Sequence, residues 1–120
     1  MLNCVLPRLF CVLLLLLNQS SYGDTPDQLQ QQAENIYQAD QALRQKIQQA
    51  LLQQPRNQQL LAELVAQQQK LDNKNSDWAI KVLDEYGWPS EPEFTDGKVA
   101  NTLFLVIQHG GLDLQQRLYP

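Results

Sequence analysis

From Leu29 onward the apolar positions recur by fours and threes: Leu29, Ala33, Ile36, Leu43, Ile47, then Ala50 or Leu51. That spacing is one stripe of a 3.6-residue helix, and no glycine or proline interrupts it before Pro55. Thr25 as N-cap, Pro26 at the first helical position and Gln28 three residues after Thr25 form the start signal of a capping box. Pro55-Arg56-Asn57 breaks the pattern. Asn57 can cap a second helix through Leu60, Leu61, Leu64, Val65 and Leu71, and so short a connection makes the two helices antiparallel neighbours.

The polar run Asp72-Asn73-Lys74-Asn75-Ser76 reads as an interruption. A third helix then starts near Ser76 and ends at Tyr86, with either Ile80, Leu83 and Tyr86 or Ala79, Val82 and Leu83 inward. Gly87 supplies a positive-φ residue to close it, Trp88 can fold back on Leu83, and Pro89 forbids continuation. Thr95 or Asp96 can cap a fourth helix, and its Val99 to Ile107 run is apolar on all sides, so it should be the buried core element. A strand over Leu103 to Ile107 is the competing form; length and the following Gly110-Gly111 favour helix. A short last helix fits Asp113 to Tyr119. The fold class expected is all-α, a small helical bundle with a long N-terminal helical hairpin.

Composition changes the picture at the N-terminus. The chain has 120 residues and a formal charge of −4, enough for one small domain. Arg8, the apolar Leu9 to Leu17 and the polar stretch up to Gly23 have the three-part shape of a secretory signal peptide, with small residues Ser21 and Gly23 before the cut. The organisation expected is a signal peptide over 1–23 and a helical domain over 24–120, exported to the periplasm or the extracellular medium. The apolar run falls short of the about 20 residues a spanning helix needs, so no stable membrane anchor is expected after cleavage. Cys4 and Cys11 both lie in the removed segment, which leaves the domain without a disulfide. An acidic chain with scattered Lys and Arg lacks the basic stripe that nucleic acids require.

Candidate chemistry begins where the stripe fails. The seam position after Ile36 is Asp40, a carboxylate that must be paired if buried, and Arg44 four residues on is the nearest partner, with Gln41 adjacent. An ordinary i,i+4 pair at a half-exposed edge competes with a buried functional pair. His109 is the single histidine. It either caps free carbonyls at its helix end or acts as a general base or acid oriented by Asp40 or Asp72, with Gln108 and Arg44 holding a substrate. One histidine without cysteine, and carboxylates at no ligand spacing, argue against a metal, and no cofactor is expected. Lys74 sits where a calcium loop starting at Asp72 would need a ligand, so that motif is rejected. With no activated Ser or Cys, an enzyme here would work by activating water.

Asp40-Gln41 with Arg44, Asp72 with Asn75, Gly87-Trp88-Pro89-Ser90, Gly97 with Ala100, Gln108-His109 and Gln115 resemble a bacterial family, domain of unknown function 6624. The resemblance spans about Leu29 to Leu118, and its specific part is the Gly-Trp-Pro turn followed by an apolar helix ending in Gln-His. It implies no activity, but it marks Asp40 and His109 again. Two departures stand out: relatives usually have alanine at the position of Gly110, and they continue beyond Pro120, so the chain is similar to a truncated member whose apolar helix should be incompletely covered.

Two functions follow. One is a non-catalytic binding or interaction module that takes a protein or small ligand, or a second copy of itself, through the Gln-rich hairpin or a polar cleft whose lining includes Gln41, Asn75 and Gln108. Loss of the tail favours this reading. The other is a water-activating, hydrolase-like enzyme using Asp40, Arg44, Asp72 and His109. It requires Asp40, Arg44 and His109 to converge on one concave site, and a His109 more than about 10 Å from Asp40, well beyond hydrogen-bond reach, would end it.

Overall fold

The computed structural model describes residues 23–89 and 97–118; the expected signal peptide, its cysteines and the helix caps proposed at Thr95 and Asp96 lie outside them. Four helices follow in order: α1 (Pro26–Leu52), α2 (Gln58–Tyr86), α3 (Lys98–His109) and α4 (Gly111–Leu118). The chain is all-α, as its apolar spacing requires. Among the described residues no helix is long and apolar enough to cross a membrane.

The start of α1 is the reciprocal cap expected from Thr25-Pro26 and Gln28. The Gln28 N–H donates to Thr25 Oγ1 at 3.3 Å and the Thr25 N–H donates to Gln28 Oε1 at 2.9 Å. Leu29, Ala33, Asp40 and Ala50 are buried along its seam, so Ala50 rather than Leu51 faces inward. Asn57 caps α2 through a 3.0 Å bond from the Leu60 N–H.

The structure corrects the expected interruption. Residues 72–76 are helical, and α2 runs unbroken for 29 residues. The polar run gives way because the inward positions keep helical register through it: Leu64, Leu71, Asn75, Ala79 and Val82 lie on one stripe while Asn73 and Lys74 face water. Of the two inward sets, Ala79 and Val82 are the buried one. At the C-terminus Gly87 has φ +69°, a conformation that suits glycine, and its N–H donates to the Leu83 carbonyl at 3.0 Å. Trp88 stays half exposed.

Helix α3 packs on both hairpin arms, and α4 packs on α3. Val99, Leu103, Val106 and Ile107 are buried, and the core joins them to Leu29, Ala33, Ala79 and Val82. The segment is a helix, not a strand, but it is not sheathed all round: Phe104 is 50 % exposed. Its N-cap is Gly97 at φ +69°, with no side-chain cap. Two polar bonds tie the layers together. Thr102 Oγ1 donates to the Ala33 carbonyl at 3.3 Å, and the Trp78 indole N–H donates to Gln32 Oε1 at 2.9 Å.

Candidate functional site

Asp40 occupies a core position of α1 and is 2 % exposed. A buried carboxylate needs its lone pairs filled and its charge balanced. Three groups do this. Arg44, one turn on, donates from Nε to both carboxylate oxygens at 3.0 and 3.1 Å; the Gln41 amide donates to Oδ2 at 3.0 Å; and His109 Nδ1 lies 3.2 Å from Oδ1. The pair is therefore not the exposed-edge salt bridge that its i,i+4 spacing also allowed.

Arg44 also reaches across the hairpin. Its Nη2 lies 2.9 Å from Asp72 Oδ1, so one guanidinium bridges a carboxylate on α1 and another on α2. The unbroken α2 makes this possible, because Asp72 is presented from a rigid helical turn. Planar donors at fixed angles suit such double engagement better than an ammonium would.

His109 arrives from the last turn of α3. The α3–α4 corner that holds it is fixed by one backbone bond and by two bonds from a side-chain amide. The Gly110 N–H donates to the Val106 carbonyl at 2.8 Å, and the Gln115 amide of α4 donates to the otherwise free Ile107 and Gln108 carbonyls at 3.4 and 3.2 Å. A Cβ at Gly110 would run into the Leu114 side chain and lie 2.9 Å from Ser76 Oγ. Its φ of −75° is open to any residue, so an added Cβ would require only that the ends of the Leu114 and Ser76 side chains shift.

An ionised carboxylate only accepts, so His109 donates from Nδ1–H to Asp40, and a ring in the neutral form then has its free lone pair on Nε2. The ring is a quarter exposed and lines a cleft of about 330 Å³ shared with Asp72, Gln68, Gln69, Asn73 and Val65. Asp40, Arg44 and His109 meet as a bonded cluster, but the expected convergence on one concave site is met only in part: His109 lines the cleft, and Asp40 and Arg44 stand behind its wall. The arrangement is a histidine oriented by a buried carboxylate, with its second nitrogen available on the side away from Asp40.

The other candidates separate. Gln41 belongs to the cluster through Asp40, whereas Gln108 is exposed and contributes only its carbonyl, to Gln115. Asn75 is buried on the inward stripe of α2 and lines neither this cleft nor the one beside it. Sequence reasoning did not pick out Gln68 or Gln69 and read Asn73 as part of the polar interruption; only the helical register from Asp72 could have placed them beside the site.

Ligating atoms of Asp40, Asp72 and His109 lie within 4.8 Å of one another, a grouping that linear spacing hid. The Arg44 guanidinium contacts both of the carboxylates and supplies the positive charge that a cation would otherwise bring.

A family model, described as a family of unknown function (DUF6624), matches residues 26–120. Comparisons with curated proteins and with solved structures give no match.

Proposed function

The chain belongs to this family of unknown function, so its activity has to be read from the site, and we propose that it is an acid–base enzyme in which His109 activates water or a substrate hydroxyl. The observation that carries the reading is the 3.2 Å contact between His109 Nδ1 and buried Asp40, on a ring that lines a cleft. Asp40 fixes the tautomer and offsets the charge formed when Nε2 takes a proton, the role a buried carboxylate plays behind a general base. Arg44 and Gln41 hold the carboxylate in turn, and Asp72 anchors Arg44 from the opposite helix. Mechanistically, Nε2 accepts a proton from the bound nucleophile and later returns it to the leaving group, so the ring ends each cycle as it began.

The non-catalytic binding module is supported less well. A binding wall has no need of an imidazole held in one tautomer by a buried carboxylate. Export, expected from residues 1–23, belongs to the same proposal, and N-terminal sequencing of the protein recovered from outside the cytoplasm should begin at Asp24.

Long-range nitrogen NMR of the imidazole is the direct test. His109 should show Nδ1 protonated and Nε2 bare at high pH, and Asp40→Asn should disturb that tautomer balance. Turnover of a panel of esters, amides and phosphoesters should vanish with His109→Gln. An Nε2–H tautomer in the native protein, or turnover unaffected by His109→Gln, would end the proposal.

A further inference from the structure

The cleft at His109 does not stop there. A second cleft of about 310 Å³ adjoins it, sharing Asn73 and Gly110, and continues past Ser76 to Ile80 between α2 and α4. The two form one groove along α2 from Val65 to Ile80. The fifteen helical rises between Val65 and Ile80 span about 22 Å, the length of six or seven residues of extended chain. Its chemistry is specific in three respects. First, the side-chain amides of Gln68, Gln69 and Asn73 make no hydrogen bond to any described residue, so each offers a donor and an acceptor to the groove. Second, Arg44 stands behind the His109 end with its Nε and Nη2 bonded to Asp40 and Asp72, and the cation that lines the far end, Arg117, shares that cleft with two carboxylates, Asp77 and Asp113. Third, among the described residues no Phe, Tyr or Trp side chain lines it.

The geometry points to an uncharged extended polypeptide segment as the substrate, laid along α2 with one peptide group beside His109 Nε2. This rests on the acid–base reading above. Each side-chain amide presents one donor and one acceptor, the complement of a peptide group. An anion would meet Asp72, Asp77 and Asp113 with no Lys or Arg lining the reactive end among the described residues, which disfavours phosphoesters and carboxylates. A glycan would find, among the described residues, no Phe, Tyr or Trp face on which sugars usually stack.

Titration of the ¹⁵N-labelled protein with N-acetyl-(Ala-Ser)₃-amide, chitohexaose and inorganic phosphate, each to millimolar concentration, tests this. The peptide should shift the side-chain amide signals of Gln68, Gln69 and Asn73 together with the His109 ring, and Gln69→Leu with Asn73→Leu should weaken it several-fold. Shifts of His109 by phosphate, shifts by chitohexaose with none by the peptide, or no shift by any probe would each overturn the assignment. The His109 tautomer, read without ligand, separates the two ideas. A correct tautomer with no peptide binding removes the substrate class alone, whereas peptide binding to a protein with Nε2–H removes the base and leaves the groove.

Discussion

Asp40 shows how one residue can be both a fold determinant and a chemical one. Its carboxylate is buried among groups from α1 and α3, so truncation to alanine would leave the His109 Nδ1–H, Arg44 and Gln41 facing an empty acceptor position. Breaking a buried charged network from one side costs about 3–5 kcal/mol, whereas Asp40→Asn keeps the shape and one acceptor and should cost about 1–3 kcal/mol. Urea denaturation at neutral pH should show that order, with Asp40→Ala well below Asp40→Asn. Tyr86 offers a second residue-scale test. Its hydroxyl donates to the Asp24 carbonyl at 2.6 Å, binding the residues just before α1 to the end of α2. Partial withdrawal from water, then the negative charges of Glu85 and Asp24, push the phenol up, with Lys81 opposing. A phenol raised on folding binds its proton more tightly in the native state, so its contribution is complete below the unfolded value of about 10 and is lost as pH rises through the native one. Ultraviolet titration should place Tyr86 above the ordinary tyrosine range, and Glu85→Gln should bring it down.

At the scale of elements, local signals that rest on a fixed offset were legible: Thr25 with Gln28, Asn57 before α2, and Gly87-Trp88-Pro89 after it. The polar run at 72–76 misled, because five small polar residues resemble a loop when composition is weighed ahead of register. The register was readable, since Leu71, Asn75, Ala79 and Val82 continue by fours and threes, but it required accepting Asn75 as an inward residue. That acceptance also places Asp72 on the helix rather than in a loop, and so fixes the partner of Arg44. Lys74 discriminates the two forms. It is exposed and sits mid-helix, so Lys74→Pro should remove a backbone bond, clash with the preceding turn and cost about 3 kcal/mol or more, where a loop would tolerate it. Thermal melts with Lys74→Ala as control separate the cases, since alanine there should be neutral or slightly stabilising.

Across the whole molecule, the convergence of Asp40, Asp72 and His109 could not be read from spacing, because 32 residues separate the first two and 37 the last two, and only the packing of α3 on the hairpin closes the distance. The Asp40–Arg44 pairing could be named in advance; which of Asp40 and Asp72 would orient His109 could not. The position of α3 is therefore the quantity on which both fold and site depend, and Leu103 is its most informative side chain. Leu103 is 0 % exposed and belongs to the core cluster that joins α3 to Leu29 and Ala33 of α1 and to Ala79 and Val82 of α2. Leu103→Ala should cost about 2–5 kcal/mol, the range for leucine cavities in a tightly packed core. Small domains have only about 5–15 kcal/mol in total. The neighbouring Phe104, half exposed on the outer face of α3, provides the internal control, and Phe104→Ala should cost far less. If α3 held the site as described, Leu103→Ala would also loosen the His109–Asp40 contact at the helix end before global unfolding, visible as a change in the His109 ring signals at temperatures where the far-ultraviolet circular dichroism is still native. Equal melting temperatures for the two variants would place α3 outside the cooperative core and remove the basis for a site built at its end.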